Sequence, residues 1–263
     1  MTTATYTAQL QAGLGMIDET RILLDLWEDD MDGPTLTHVA LQSGQFAAMS
    51  ARRLRNLVAE CFAPRYLVQN GTPARLLRIL QPLLANREFE QLLFLYTCRA
   101  NAILADFVRD VYWRDYAAGR EMIDNGEALV FVTRANQDGK TTTPWSSSTL
   151  RRVAGYLTGT CADFSLLERG ARSVRRILPF RIEQRVVGLL AYELHFAGHG
   201  DNRIVSSPDW ALFGLEPADV VDELKRLALK GLLIVQTAGS AITIGWQYQS
   251  MDEVCDVIAQ GKF

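Results

Sequence analysis

Hydroxyl and guanidinium side chains are concentrated between residues 145 and 185, and this combination suits the binding of phosphate groups. The stretch reads WSSSTLRRVAGYLTGTCADFSLLERGARSVRRILPFRIEQR. Ser148 and Thr149 lie at the predicted start of a helix that also carries Arg151 and Arg152. Hydroxyl groups and the N–H groups of a helix start contact phosphate, and arginine reaches phosphate or guanine edges. The stretch therefore predicts a nucleic-acid contact.

A second set of arginines follows a glycine-containing turn in the same stretch. Its members are Arg169, Arg172, Arg175 and Arg176. The strand-like ILPFRI comes next, so we expect a helix followed by a basic hairpin, which is the order found in a winged helix-turn-helix. The alternative is a solvated basic surface that forms ion pairs with acidic segments of the same chain.

A third set of arginines lies in the segment SARRLRNLVAECF, residues 50–62. Its members are Arg52, Arg53 and Arg55. Ser50 is a typical N-cap, and the arginines project from the first turn and a half of the predicted helix. Helices are also predicted at 17–28 and 34–41, so residues 17–62 have helix-turn-helix order.

The charge of the chain alternates in blocks. The formal net charge is −3, but residues 51–100 and residues 146–190 each contain eight Arg and three acidic residues. Residues 1–50 and 191–263 are acidic. A localised anion-binding surface requires this kind of asymmetry. The planar guanidinium group of arginine can donate two parallel hydrogen bonds to phosphate or to a base edge, which suits it better than lysine to such contacts.

The patterns that would indicate catalysis are incomplete. GKT at 139–141 lacks the earlier glycine of a phosphate-binding loop, because Arg134 occupies that position. His195 and His199 have zinc-ligand spacing, but Phe196 stands where a metalloprotease helix has its glutamate. No G-x-S-x-G motif is present. We expect no catalytic residue, no metal, no cofactor and no small-molecule substrate.

The cysteines and the apolar runs bear on the compartment. Four scattered cysteines without C-x-x-C spacing predict reduced, buried thiols. The apolar runs are too short to span a membrane, and the first residues have no signal-peptide pattern. We expect a cytoplasmic protein without a membrane contact.

Helical periodicity predicts a mainly α, multi-helical fold with helix-turn-helix or winged-helix-like units and small β-hairpins. We divide the chain into an N-terminal helical domain, 1–140, and a C-terminal domain, 141–263. In the first, a helix over 88–116 forms the core, and 128–135 pairs with TTTPW as a hairpin.

The C-terminal domain is expected to contain two winged-helix-like units. Beyond the basic stretch we predict a buried helix over 186–196, a loop over 201–208 and a helix over 217–230. Two strands, LLIVQ and AITIGWQY, and a last helix over 251–258 follow. The helix over 217–230 begins with acidic residues that repel phosphate, so it predicts a structural or partner-binding unit.

Several phrases together resemble the BrxA family, a core component of BREX bacteriophage-exclusion systems. They are YTAQLQAGLGMIDETRILLDLW, FAPRYL, FLYTCRANAILADFVRDVYW, PWSSSTLRRVAGYL, LAYELHFAGHGD, DWALFGL and IGWQY. The resemblance runs from about Tyr6 to the C-terminus. It implies a cytoplasmic, largely helical protein with helix-turn-helix elements that binds double-stranded DNA and works with other BREX components.

The resemblance implies DNA-facing positions that coincide with two of the sets found from charge. They are Arg52, Arg53, Arg55, Ser148, Thr149, Arg151 and Arg152. The arginines from Arg169 to Arg176 are predicted from charge alone. We predict a non-catalytic double-stranded DNA-binding protein that contacts mainly phosphate. The alternative is a protein–protein adaptor whose basic surfaces dock acidic partners in the defence complex.

Overall fold

Helical periodicity dominates the chain, which folds as a mainly α-helical protein with two small antiparallel sheets in the part that the structure describes. A computed structural model describes residues 5–12, 14–170, 173–239 and 241–263. The chain forms two compact units. Unit 1 comprises Met1–Arg78 and Leu93–Phe180, and unit 2 comprises Ile79–Leu92 and Arg181–Phe263.

The arginine triplet belongs to a group of short helices in unit 1. These are α1 (Ile17–Leu26), α2 (Gly33–Gln42), α3 (Ala51–Asn56), a π-helical turn (Leu57–Phe62) and α4 (Ala63–Tyr66). The Asp32 carboxylate accepts a hydrogen bond from Thr35 N at 2.8 Å and caps α2. The Ser50 hydroxyl accepts one from Arg53 N at 3.3 Å and caps α3, as predicted.

The helix predicted over 88–116 is interrupted. The chain continues as α5 (Thr72–Leu80), α6 (Asn86–Ala100), α7 (Ala102–Phe107), a π-helical turn (Val108–Tyr112) and α8 (Trp113–Ala117). The break is at Asn101, where φ is −132° and ψ is 88°. The side-chain amide of Asn101 donates to Thr97 O at 2.8 Å, so a local side-chain bond accompanies the break.

The predicted hairpin over 128–135 is wrong. Strand β1 (Met122–Asp124) leads directly into helix α9 (Asn125–Gln137). Asp124 and Glu127 form a reciprocal capping box, with Glu127 N donating to Asp124 Oδ1 at 2.8 Å. Ala128, Val132 and Ala135 are buried at helical spacing, and this pattern outweighs the β-branched residues that suggested a strand.

The basic stretch contains a helix and, after it, a local antiparallel bridge between Leu167 and Ile177, with Glu168 N donating to Arg176 O at 2.8 Å and Leu178 N to Leu166 O at 2.9 Å. Helix α10 (Ser147–Asp163) lies against α9, and strand β2 (Val174–Arg176) pairs antiparallel with β1. The predicted strand ILPFRI is therefore shifted: β2 is the three residues before it, and within ILPFRI only Ile177 has a bridge partner among the described residues. Phe180 instead packs edge-on against Phe94, with ring centroids 5.7 Å apart.

Unit 2 contains the helix-and-hairpin order expected near the C-terminus. Its elements are α11 (Gln184–Phe196), α12 (Asp201–Val205), a 3-10 turn (Trp210–Phe213), α13 (Pro217–Leu229), β3 (Leu233–Ala238), β4 (Ala241–Trp246) and α14 (Met251–Ala259). The predicted loop over 201–208 is wrong at its start, where α12 forms. The hairpin is confirmed, with six antiparallel pairs from Leu233–Trp246 to Ala238–Ala241.

The division into units differs from a boundary at residue 140. Helix α10 packs along α9, so residues on both sides of 140 share one core in unit 1. The sequence around 139 has turn residues, and Gly139 does adopt a φ of 69°. That turn joins two helices of one unit rather than two domains.

Candidate nucleic-acid interface

The arginine triplet of α3 points away from the core of unit 1. Arg52, Arg53 and Arg55 are exposed, whereas Leu54 between them is fully buried. The Arg55 Nε donates to Ala51 O at 3.3 Å, which keeps this side chain along the first turn of the helix. The segment thus presents three guanidinium groups to solvent from one short helix.

The start of α10 carries a network of hydroxyl groups beside two arginines. The Ser146 hydroxyl caps the helix by accepting from Thr149 N at 3.3 Å, and it lies 2.9 Å from Ser148 Oγ. Arg152 Nη2 donates to Thr149 Oγ1 at 3.5 Å. Arg151 and Arg152 are exposed. Hydroxyls, the first N–H groups of the helix and guanidinium groups therefore converge in a single turn.

The later arginines lie beyond the other end of α10. Arg169 Nη2 donates to the carbonyl of Asp163, the last residue of the helix, at 2.9 Å. Eleven residues separate Asp163 from Arg152, which is about 16 Å at the rise of an α-helix. The basic stretch is therefore divided between two places and does not form one continuous basic surface with the helix start.

Arg175 and Arg176 occupy opposite faces of the β1–β2 ladder because successive strand residues alternate. Arg176 is exposed, while Arg175 is partly covered and donates to Glu168 O at 3.0 Å. This contact gives Arg175 a structural role in its own loop. Arg172 lies outside the described residues.

The candidate arginines differ from neighbouring ones in their ion pairing. Among the described residues, no carboxylate lies within 4.0 Å of a candidate arginine. The arginines that do form ion pairs are outside the candidate set. Arg181 and Arg185, the last arginines of the basic stretch, instead pair with Glu223 and Glu88 at 3.7 and 3.4 Å. The alternative of a basic surface that forms ion pairs with acidic residues of the same chain thus applies to Arg181 and Arg185.

Charge is distributed unequally between the two units. Unit 1 has 19 basic and 17 acidic residues, a net charge of +2, and unit 2 has 8 basic and 13 acidic residues, a net charge of −5. The candidate arginines all belong to unit 1. In unit 2, Asp219 and Asp222 are exposed near the start of α13, so the helix that precedes the hairpin presents carboxylates first.

The residues considered for catalysis have structural surroundings. Lys140 Nζ lies 5.9 Å from the centre of the Tyr6 ring. The His195 ring stacks on Trp246 at 4.3 Å, and burial lowers the pKa of His195. Burial raises the pKa of Cys161 to about 12 and that of Cys255 to about 11. Both thiols therefore remain protonated and weakly nucleophilic near neutral pH.

One feature of unit 1 was not found from the sequence. A groove of about 700 Å³ runs along α9 and is lined by Tyr6, Val130, Arg134 and Lys140 among others. Val130 is 70% exposed, and the Arg134 side chain is 83% exposed. The helical spacing of these two residues was the available signal, and the incorrect hairpin over 128–135 concealed it.

The fold and its surface define a mainly α-helical protein with arginine-bearing helix starts. Among the described residues, none of the helices is both long and apolar enough to cross a membrane. The chain belongs to the BrxA family, whose sequence profile matches residues 4–193. Membership implies a component of a BREX phage-defence system. Neither curated proteins nor solved structures give a match to the chain.

Proposed function

We propose that this protein is a non-catalytic, double-stranded DNA-binding component of a BREX system. The observation that carries the proposal is the exposure of the candidate arginines of unit 1 without a carboxylate partner among the described residues, whereas Arg75 and Arg120 in the same unit pair with carboxylates. A guanidinium group that is not neutralised by its own chain keeps its full attraction for an external polyanion. Phosphate is the anion for which its forked geometry is best suited.

Two contact sets support the proposal, and they differ in character. The triplet on α3 offers three guanidinium groups, while the start of α10 offers Ser148, Thr149, Arg151 and Arg152 around free N–H groups. Hydroxyls and helix N-termini position a protein on the DNA backbone without reading sequence. Arg169 and Arg176 would extend the contact toward the other end of α10. We expect affinity to come mainly from phosphate.

The cytoplasm is the compartment in which this function would be exercised. Its partners would be double-stranded DNA and the other BREX components. The family assignment supports the second of these partners, and the basic helix starts support the first.

The direct test is binding of the purified full chain to a fluorescent DNA duplex across a salt series. If about six phosphates are engaged, the slope of log affinity against log salt is expected to be about −5. Changing Arg151 and Arg152 together to Glu should remove most of the affinity. Changing Lys230 and Lys262 to Glu is the matched control, because both lysines are exposed in unit 2 and the net charge changes equally.

Two results would contradict the proposal. The first is unchanged affinity of the Arg151/Arg152 variant with an unchanged circular dichroism spectrum. The second is an equal loss in the lysine control, which would mean that net charge and not a defined surface determines binding. If DNA is not bound but the same arginines are needed for co-purification with other BREX proteins, the adaptor function is correct instead.

A further inference from the structure

The β3–β4 hairpin of unit 2 lacks charge altogether. Residues 231–251 contain no Asp, Glu, Lys, Arg or His, in a chain in which 22% of residues are charged. Its outer face is nevertheless open to solvent, since Ile234 is 58% exposed and Gln236 is also exposed. Proteins usually protect such strands with charged side chains. This hairpin has no such protection.

One edge of the hairpin is closed by side chains of α12. Ile244 N donates to Asp201 Oδ2 at 2.9 Å, and Ile242 N donates to Asn202 Oδ1 at 3.3 Å. Because these N–H groups donate to α12, they point away from β3, and Val235–Ile244 and Thr237–Ile242 are the non-hydrogen-bonded pairs of the ladder. The outer edge of β4 is therefore already satisfied within the unit.

The other edge of the hairpin is open. Val235 and Thr237 belong to the non-hydrogen-bonded pairs of the ladder, so their N–H and C=O groups point away from β4. Within the part of the chain that the structure describes, neither residue forms a main-chain hydrogen bond outside the ladder. Strand β3 packs mainly on β4 and α13, and neither of these supplies a partner strand for the edge. The edge can accept one more antiparallel strand.

The geometry points to self-association of this chain through β3, with a second copy of β3 as the added strand. In the register that pairs Val235 with the second copy's Thr237, the two-fold axis passes between the two Gln236 residues. Ile234 then lies beside the second copy's Ala238, so a large residue meets a small one. The two Gln236 amides lie opposite each other and can form hydrogen bonds with each other.

Electrostatics favour the hairpin over the rest of unit 2 as the place where two copies meet. Unit 2 has a net charge of −5, so two copies repel each other over most of its surface. The uncharged hairpin is where two copies can approach without like charges. The hairpin also lies outside residues 4–193, so this inference concerns a part of the chain to which the family match does not extend. It does not depend on the proposed DNA binding.

Placing charged residues at position 236, on the two-fold axis, tests the inference with the full-length chain. In sedimentation velocity over a concentration series, the wild type should approach twice its 29.4 kDa mass. Gln236→Lys and Gln236→Glu each place like charges opposite one another and should weaken the dimer about fivefold. An equimolar mixture of the two variants should dimerise at least as well as the wild type. Thr243→Lys and Thr243→Glu, on the same face but away from the axis, should change little.

A cross-link provides a second measurement that does not require a weakened variant. At the axis, the two Gln236 Cα atoms would be about 4.5 Å apart, which suits a disulfide. Gln236→Cys should form a covalent dimer under mild oxidation, and Thr243→Cys should not, because its Cα atoms would be about 14 Å apart. The four natural cysteines are buried and do not compete.

The inference fails if the wild type stays at the mass of one chain at its highest soluble concentration. It also fails if the Gln236 variants dimerise as well as the wild type, or if Thr243→Cys cross-links as efficiently as Gln236→Cys. If the chain binds DNA but stays monomeric, the proposed DNA-binding function stands and the self-association through β3 is rejected.

Discussion

Phe263 occupies space that is available only because residue 188 has no side chain. A Cβ atom at Gly188 would overlap the Cζ and Cε1 atoms of the Phe263 ring, much closer than carbon atoms can approach. The ring is 8% exposed and packs on α11. A sequence cannot show this contact, because the two residues are far apart along the chain and neither belongs to a recognisable motif.

Substitution of this glycine should reveal the contact. Gly188→Ala should destabilise the protein by about 1–3 kcal/mol, because the ring must move or the helix must shift. Gly155→Ala is the matched control, since Gly155 is also inside a helix but a Cβ atom there would have no neighbour within 4 Å. That change should be neutral or stabilising by about 0.5–1 kcal/mol. Urea unfolding of both variants distinguishes the two; equal stability of both would show that the Phe263 ring moves freely.

At the scale of the elements, local rules predicted the helices better than the strands. Ser50 and the apolar stripe after it predicted α3, and the cap and the helix at the start of α10 were found in the same way. Strand β2 was not predictable, because its partner β1 lies about fifty residues earlier and pairing over such a distance leaves no local pattern. The α9 segment contains β-branched residues typical of a strand, but its capping box and buried helical spacing determine a helix.

That capping box should contribute measurably to stability. Asp124→Ala removes the side chain that caps the first turn of α9 and should cost about 1 kcal/mol, and up to about 2 kcal/mol. Asp138→Ala is the matched control at the other end of the same helix, where the carboxylate lies 3.9 Å from an exposed Arg134. Such a surface pair contributes between about 0 and 1 kcal/mol. Chemical denaturation should rank the two variants in this order; the reverse ranking would show that the capping box is dispensable.

For the whole molecule, the sequence indicated where positive charge accumulates but not which charges are free. Arg151 and Arg185 stand in the same basic stretch, yet the first is exposed without a carboxylate partner among the described residues and the second pairs with Glu88. This difference arises from tertiary folding, so no local pattern predicts it. The hydrogen bonds of Arg169 and Arg175 to main-chain carbonyls could not be predicted for the same reason.

The two proposals together predict how DNA length affects binding. Positive charge lies in unit 1 and the open strand edge lies in unit 2, so a dimer formed through β3 carries two separate DNA-binding units. Linking two binding units raises the affinity for a duplex that both can reach, but not for a duplex with room for one. Gln236→Lys should therefore bind a short duplex as well as the wild type, or slightly better because of the added charge.

On a long duplex the same variant should bind more weakly than the wild type, by up to about fivefold, the factor by which the substitution weakens the dimer. Fluorescence anisotropy with short and long duplexes of the same base composition measures both affinities at one salt concentration. The Thr243→Lys variant adds an equal charge on the same face and should retain the wild-type preference for the long duplex. If Gln236→Lys lost affinity equally for both lengths, the hairpin would contact DNA itself, and the division of roles between the two units would be wrong.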